Sequence, residues 1–428
     1  MKATLAFDAL RDAVEQLPNN RLAASRLAAF AQLEARGTPT TGFEDWKYTD
    51  LSAVIDISNQ WLVDGAHERQ AAAITAESDA ITERVDAHWL VIANGGISED
   101  SVVAAASAGI DVSLLSETDI NLDFAAPLSD LNTALLRDGL QIRIAAGTKL
   151  DKPIGLLVVD DTTGTVGVTQ VRVEIDVAAH AETDLIEHHV STGDAGHYAN
   201  SVINLNLGEN ATVRYVRIQD RSHAHSQTGR LNVRLDRDSE LQHCVFDFGG
   251  KLVRNDLNIE LAGAGAQAAF SGLYIATGDQ HIDNHTRVDH RVGPARSLQE
   301  YRGILAGRAR CVWNGKAMVH VGADGTDAEQ ANHNLLLSEQ AEIDAKPELE
   351  IYADDVKCSH GTTIGQLDEN ALYYLRTRGL SRRDAQHLMT QAFAQSIVDK
   401  SPISLLQETL REMVAVRLDN LGKGDTNL

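Results

Sequence analysis

The chain has 428 residues, 43% of them hydrophobic and only 5% aromatic, with 38 Lys+Arg against 61 Asp+Glu and a formal charge of −23. That charge argues against a nucleic-acid partner and against an anionic membrane face, because both need clustered cations. The length allows two or three domains or one long repetitive body with caps, and the low aromatic share calls for an aliphatic core.

The first residues, MKATLAFDALRDAVEQL, already carry Asp8, Asp12 and Glu15 and lack an apolar core followed by a small-residue cleavage site. They read as neither a secretory signal nor a transit peptide, and no apolar run approaches the ~20 residues needed to cross a bilayer. The three cysteines, Cys244, Cys311 and Cys358, are odd in number and widely spaced, which fits free thiols in a reducing cytoplasm. A cytoplasmic location is therefore expected.

Residues 1 to about 50 read as helical. Arg21 to Glu34 places Leu22, Leu27, Phe30 and Leu33 roughly on one face, and Gly37 with Pro39 stops the helix. The run Gly42 to Leu51, GFEDWKYTDL, reads as an amphipathic connector with aromatic anchors. From Leu51 to Asn121 the pattern is mixed, with a short strand at Trp89–Ile92 and a turn at Asn94-Gly95. A phosphate-binding G-x-x-x-x-G-K-[ST] loop does not occur: the glycines at 250, 315 and 422 that precede a lysine are followed by Leu, Ala and Gly. The chain is thus not itself a P-loop ATPase.

Leu131 to Ile154 reads as a helix through Leu135 and Leu136 to Asp138, ended by Gly139, then a strand over Gln141–Ile144. From 155 to about 365 the pattern is β throughout. Alternating segments such as Val171–Ile175, Val202–Leu207 and Leu231–Leu235 are separated by polar turns at 178–183, 208–211, 236–240, 262–267, 293–297 and 338–341. Most of these recur every 26 to 32 residues, with a wider gap before the last. That spacing suits coils of a stacked β-solenoid, although periodicity alone fits a sandwich equally. Cys244 and Cys311 lie in apolar strands and read as core. His281, Asp283 and His285 would share one face of a strand, as a metal site or as a polar ladder on a solvated face; the ladder is the simpler reading. Cys358 and His360 are also two apart, so a thiolate and an imidazole would point one way; both are good iron or zinc ligands. The alternative is a buried cysteine beside a hydrogen-bonded histidine. Beyond Gly365 the pattern turns helical. Ser381 and Asp384 form a capping box ahead of a stripe of Ala385, Leu388, Met389, Ala392, Phe393 and Ile397. A second helix opens at Ser401-Pro402 with Leu406, Leu410, Met413, Val414 and Leu418 on one face.

The run KPELEIYADDVKCSHG from Lys346 to Gly361 resembles the signature of the SufB/SufD family, the non-ATPase subunits of the SUF iron–sulfur cluster assembly machine. Glu44-Asp45-Trp46-Lys47-Tyr48-Thr49 resembles that family's E-x-W-[KR]-Y-T motif, and Tyr301–Leu305, Asn314–Lys316 and Thr326–Ser338 match it closely. The KCSHG spacing and the length point to the D-type subunit. The resemblance implies a mainly β fold: a right-handed parallel β-helix over 131–365, between an N-terminal helical and mixed region (1–130) and a C-terminal helical domain (366–428) where an ABC-type ATPase docks. It also implies a B-type paralogue as partner and a transient Fe–S cluster at the shared interface. There His360, with Cys358 as a second candidate, serves as ligand, and a cysteine desulfurase with its sulfur shuttle acts upstream. Whether the complex also binds a flavin is not written in these residues. Two other classes stand beside this one: a purely structural adaptor of the same complex, and a carbohydrate-active β-helix enzyme.

Overall fold

The computed structural model describes residues 4–64, 81–118 and 126–424. Helices α1 (Phe7–Glu15), α2 (Ala23–Arg36) and α3 (Ser52–Asp64) come first. Gly37 ends α2 as expected, at a left-handed φ of 73° with its N–H bonded to the Leu33 carbonyl. Phe30 and Leu33 are buried, but Leu27 points outward. Next come β1 (His88–Ala93), β2 (Gly96–Ile97), α4 (Glu99–Ser107), β3 (Asp111–Leu114) and α5 (Pro127–Ala134). Helix α5 stops four residues short of the expected Asp138. The chain must leave the helix there to bring Gly139 onto the backbone of Arg172, so close that a Cβ would lie 2.7 Å from that carbonyl oxygen.

Strands then follow one another: β4 (Leu140–Ile144), β5 (Ile154–Asp161), β6 (Gly167–Val177), β7 (Glu182–Thr192), β8 (His197–Leu207), β9 (Thr212–Asp220), β10 (His225–Leu235) and β11 (Glu240–Asp247). They continue with β12 (Leu252–Leu261), β13 (Gln267–Ala276), β14 (His281–His290), β15 (Arg296–Leu305), β16 (Arg310–Val319), β17 (Asp327–Leu336), β18 (Glu342–Ile351) and β19 (Lys357–Gly365). From β4 onward alternate strands go to opposite sheets, one in the order β19-β17-β15 down to β5-β1-β2, the other β18-β16-β14 down to β4-β3. Each coil lies parallel on the next, with Ser226 beside Leu252 and Leu140 beside Val173. The fold is the expected β-solenoid, of about eight coils, flanked by helices at both termini.

The turns explain the spacing. His180, Asn210 and Asp238 take left-handed φ values of 61°, 56° and 56°, and each donates its N–H to a carbonyl of the following coil. Gly265 fills the same place one coil later, where a Cβ would come within 2.0 Å of the Asp238 carboxylate. The wide gap before 338–341 has a simple cause. That turn joins β17 to β18 at the opposite corner, while the row continues through 320–326, where Gly322 and Gly325 take positive φ.

Alternation along each strand builds two kinds of core. Inward rows such as Leu140, Val173, Ile203 and Leu231 fill the solenoid. Outward residues of the odd-numbered sheet, among them Ile218, Cys244, Phe246 and Ile304, are covered by the C-terminal helices. Outward residues of the other sheet, including Tyr198 and Leu252, are covered by α1–α3 and α5. The C-terminal helices are α6 (Glu369–Thr377), α7 (Arg382–Val398) and α8 (Gln407–Gly424). Ser381 caps α7 as expected, accepting the Asp384 N–H at 3.1 Å. The buried face of α7 is rotated from the expected stripe: Ala385, Ala394, Ile397 and Val398 are buried, while Leu388 is 45% exposed. Small residues let α7 lie close against β13 and β15, and Phe393 packs under Arg302, 4.9 Å from its ring centre. The last helix begins at a 3₁₀ turn over Ser404–Leu406 rather than at Pro402; its stripe of Leu406, Leu410, Val414 and Leu418 is buried. Among the described residues no helix is long and apolar enough to cross a membrane.

The two ends of the solenoid differ. At the first coil the antiparallel strands β2 and β3 close the sheets. At the last coil β18 and β19 are the outermost strands of their sheets, so their free edges carry unpaired backbone groups.

Beside the apolar rows the interior also holds a polar cluster. Arg221 bonds Asp160, Gln227 at 2.8 Å and His189 at 3.2 Å, and Arg217 bonds Asn255 at 2.6 Å. Burial holds His243 there and His290 farther along to about 4, and holds His188, on the outward face of β7, down to about 3. An unfolded imidazole titrates near 6.5, so below that pH the unfolded chain binds more protons than the folded one. The stability these residues contribute is complete above pH ~6.5 and drains away as the pH falls to ~4. Thermal unfolding followed from pH 7 to 4 should show the melting temperature dropping steadily below ~6.5. A flat profile across that window would show that the imidazoles are not held neutral.

Candidate functional site

Inward positions of successive coils lie in register, and Cys358 and His360 continue two such rows. Tyr215, His243, Phe270, Gln299, Gln330 and His360 stack strand on strand. Leu241, Ala268, Ser297, Ala328 and Cys358 form the neighbouring row. Every earlier member is buried, yet His360 is exposed and Cys358 half-buried, because no further coil covers β19. Both side chains occupy core positions that end in solvent. Thr362 and Ile364 extend the same face, and Ile364 is 52% exposed.

Strand β18 supplies the opposite wall. Its inward row, Ile343, Ala345, Pro347, Leu349 and Ile351, pairs with Cys311, Trp313, Gly315, Ala317 and Val319 of β16, and all five of those partners are buried. None of the β18 residues is fully buried. Pro347 has no N–H to give a ladder, which suits an outermost strand. The open end is therefore an apolar half from one sheet facing a half that presents a thiol, an imidazole and a hydroxyl from the other. Partial burial raises the Cys358 thiol above its ordinary range, opposed by the backbone N–H of Ala328. In the isolated chain it rests as a thiol and becomes a strong metal ligand only on losing its proton.

The other sequence candidates fall elsewhere. Cys244 and Cys311 are fully buried, and burial pushes Cys244 up to about 12, as befits inert core thiols. His281, Asp283 and His285 do share one face, and they form a polar ladder rather than a ligand set. The Asp283 carboxylate takes Arg254 at 2.6 Å, His285 at 3.0 Å and the Thr49 hydroxyl. The ladder is not solvated as expected: residues 44–49 lie over it, and Asp283 is 1% exposed. Among the described residues no group of three or more His, Cys, Asp or Glu side chains is placed to hold a metal ion. At β19 the described residues bring Cys358 and His360 onto one face as a pair of candidate ligands. The exposed Ile351 and Ile364 left little sign in the sequence; the signal available was Pro347 within the charged alternation Lys346–Glu350, marking an edge.

The family described as "SUF system FeS cluster assembly, SufBD core domain" matches residues 159–393. The iron–sulfur cluster assembly protein SufD of Escherichia coli K12 is 30% identical over 393 residues, covering 90% of each chain. A SufBD family protein of Synechocystis is 35% identical over 68% of this chain and 66% of its own. The SufD protein of Bacillus subtilis is 25% identical over 67% of this chain and 66% of its own. A solenoid whose interior rows end in a half-buried cysteine and an exposed histidine, matched over most of its length by these relatives, belongs to the SufB/SufD family of the SUF iron–sulfur cluster assembly system and is SufD-like.

Proposed function

We propose that this chain is the D-type, non-ATPase subunit of a SUF assembly complex and that its open solenoid end receives the B-type paralogue. The observation that carries the reading is the exposure of a core row: the last coil presents Cys358, His360 and Ile364 at a free strand edge. A second solenoid of the same kind can cover that row and pair with the edge, turning an aggregation hazard into a specific interface. The nascent Fe–S cluster is cargo there. His360 would supply an imidazole toward thiolates of the partner, and a nitrogen ligand makes a cluster easier to release than all-thiolate ligation. Cys358 is the second candidate ligand. Sulfur would arrive from a cysteine desulfurase through its shuttle, and the chain itself performs no ATP hydrolysis. Anaerobic affinity purification from native cells should recover a larger paralogue and an ABC-type ATPase with this chain. Recovery of the chain alone would remove the reading.

The C-terminal helical region, 366–428, is the proposed seat of the ATPase. Tyr373, Tyr374 and Leu388 are 69%, 57% and 45% exposed on α6 and α7, large apolar side chains that the solenoid does not cover. The double variant Tyr373→Asp, Leu388→Asp should cut ATPase binding by more than about tenfold while leaving the paralogue bound. Unchanged ATPase binding in a titration would place the docking surface elsewhere.

The adaptor reading draws on one observation, the raised Cys358 thiol, which fits a side chain that merely packs. It predicts that Cys358→Ala and His360→Ala are both silent.

A further inference from the structure

The segment Glu44–Thr49 is the part of the sequence signature that cluster chemistry leaves unexplained. It crosses the outer face of the even-numbered sheet toward the open end. Thr49 sits at β14, its hydroxyl 2.8 Å from His281 Nε2 and bonded to Asp283. Trp46 lies on Arg254 of β12, with the guanidinium 4.4 Å from the ring centre, and the same guanidinium donates to the Asp45 carbonyl at 2.9 Å. Glu44 then reaches Lys346 of β18 at 2.9 Å, a contact between residues 302 positions apart. Lys346 is shared with Glu348 at 3.1 Å. The anchors are strong at one end and weak at the other. Arg254 and Thr49 are 2% and 1% exposed, so the stacking and the hydrogen bonds are desolvated. The Glu44–Lys346 pair is exposed and by itself holds little.

The arrangement joins a buried anchor in the middle of the solenoid to the strand that forms the apolar wall of the open end. Strand β18 has a neighbour on one edge only, so whatever else fixes it decides whether its inward row is presented ready for docking. We infer that Glu44–Thr49 is a strap that positions β18 for its partner, with Trp46 and Thr49 as the positioning residues and Lys346 as the point it holds. The consequence for the B-type paralogue rests on the function proposed above; the effect on β18 does not.

Hydrogen exchange of the full-length chain, alone and with the paralogue, separates the two. In Trp46→Ala the amides of β18 should exchange about threefold faster, while those of β8 and β10 keep their protection. Trp46→Phe, which keeps an aromatic face on Arg254, should restore most of it. Binding of the paralogue should weaken by a similar factor in Trp46→Ala and recover in Trp46→Phe. The reversal Glu44→Lys, which removes the contact with β18 itself, should loosen β18 at least as much and be rescued by Lys346→Glu. Unchanged exchange at β18 in Trp46→Ala overturns the strap, as does equal loss of protection in β8 and β10, which would mean general destabilisation. A wild-type chain that binds no paralogue while β18 still responds to Trp46→Ala would sink the proposed interface and keep the strap.

Discussion

The His360→Ala variant is expected to assemble normally and to mature no clusters. His360 sits on an inward row at the uncovered end of the solenoid, so its removal leaves no cavity in the isolated chain. The paralogue and the ATPase should co-purify in wild-type amounts. Loss of the imidazole takes away a proposed ligand outright, whereas outer-shell changes typically cost 10–100-fold, so transfer to client apo-proteins should fall by more than about 100-fold. The readouts are client enzyme activity in cells and cluster absorbance on the anaerobically reconstituted complex. Cys358→Ala distinguishes ligand from packing: a ligand reproduces the His360→Ala defect, and a packing residue leaves maturation intact. Normal maturation in both variants would establish the adaptor.

The second large effect is on assembly. Ile351 and Ile364 end the inward rows of β18 and β19 and are 42% and 52% exposed. In the free chain an aspartate at either place meets water and costs little. In the complex it is an unpaired buried charge. Centrally placed apolar anchors typically contribute about 2 kcal/mol each, near 30-fold in affinity. Ile351→Asp with Ile364→Asp should therefore abolish co-purification of the paralogue while the melting temperature of the isolated chain stays within about 2 °C. Retained binding would move the interface off the open end.

Much of this was legible in the sequence, where local chemistry decides the outcome. The Gly37 stop, the Ser381 cap and the period-two strands follow from backbone propensities that tertiary structure does not override. The coil period showed through the turn residues because four successive corners use a left-handed position, met by His180, Asn210, Asp238 and Gly265 in turn. It blurred at 338–341 because corners on opposite sides of the solenoid use the same residue types. Three things depend on packing and stayed hidden. Which side of α7 faces inward was set by the close approach of Ala385 and Ala394 to the sheet rather than by the largest side chains. The early stop of α5 was set by contact with Arg172. The uncovered end depends on how many coils are stacked and what lies beyond them. Cys358 and His360 read as a pair from their spacing, but nothing local says that they are the last members of buried rows. The cover that Thr49 and Trp46 place over Asp283 likewise joins residues more than 200 positions apart.

The central claim is that the open end of the solenoid is where the paralogue sits. Hydrogen exchange of this chain with and without the purified B-type paralogue tests it most directly. Free edges should exchange fast in the isolated chain, and on binding the amides of β18 and β19 should gain protection together, with the opposite end at β2 and β3 unchanged. Protection confined to the helical flanks, or none at β19, would contradict the claim.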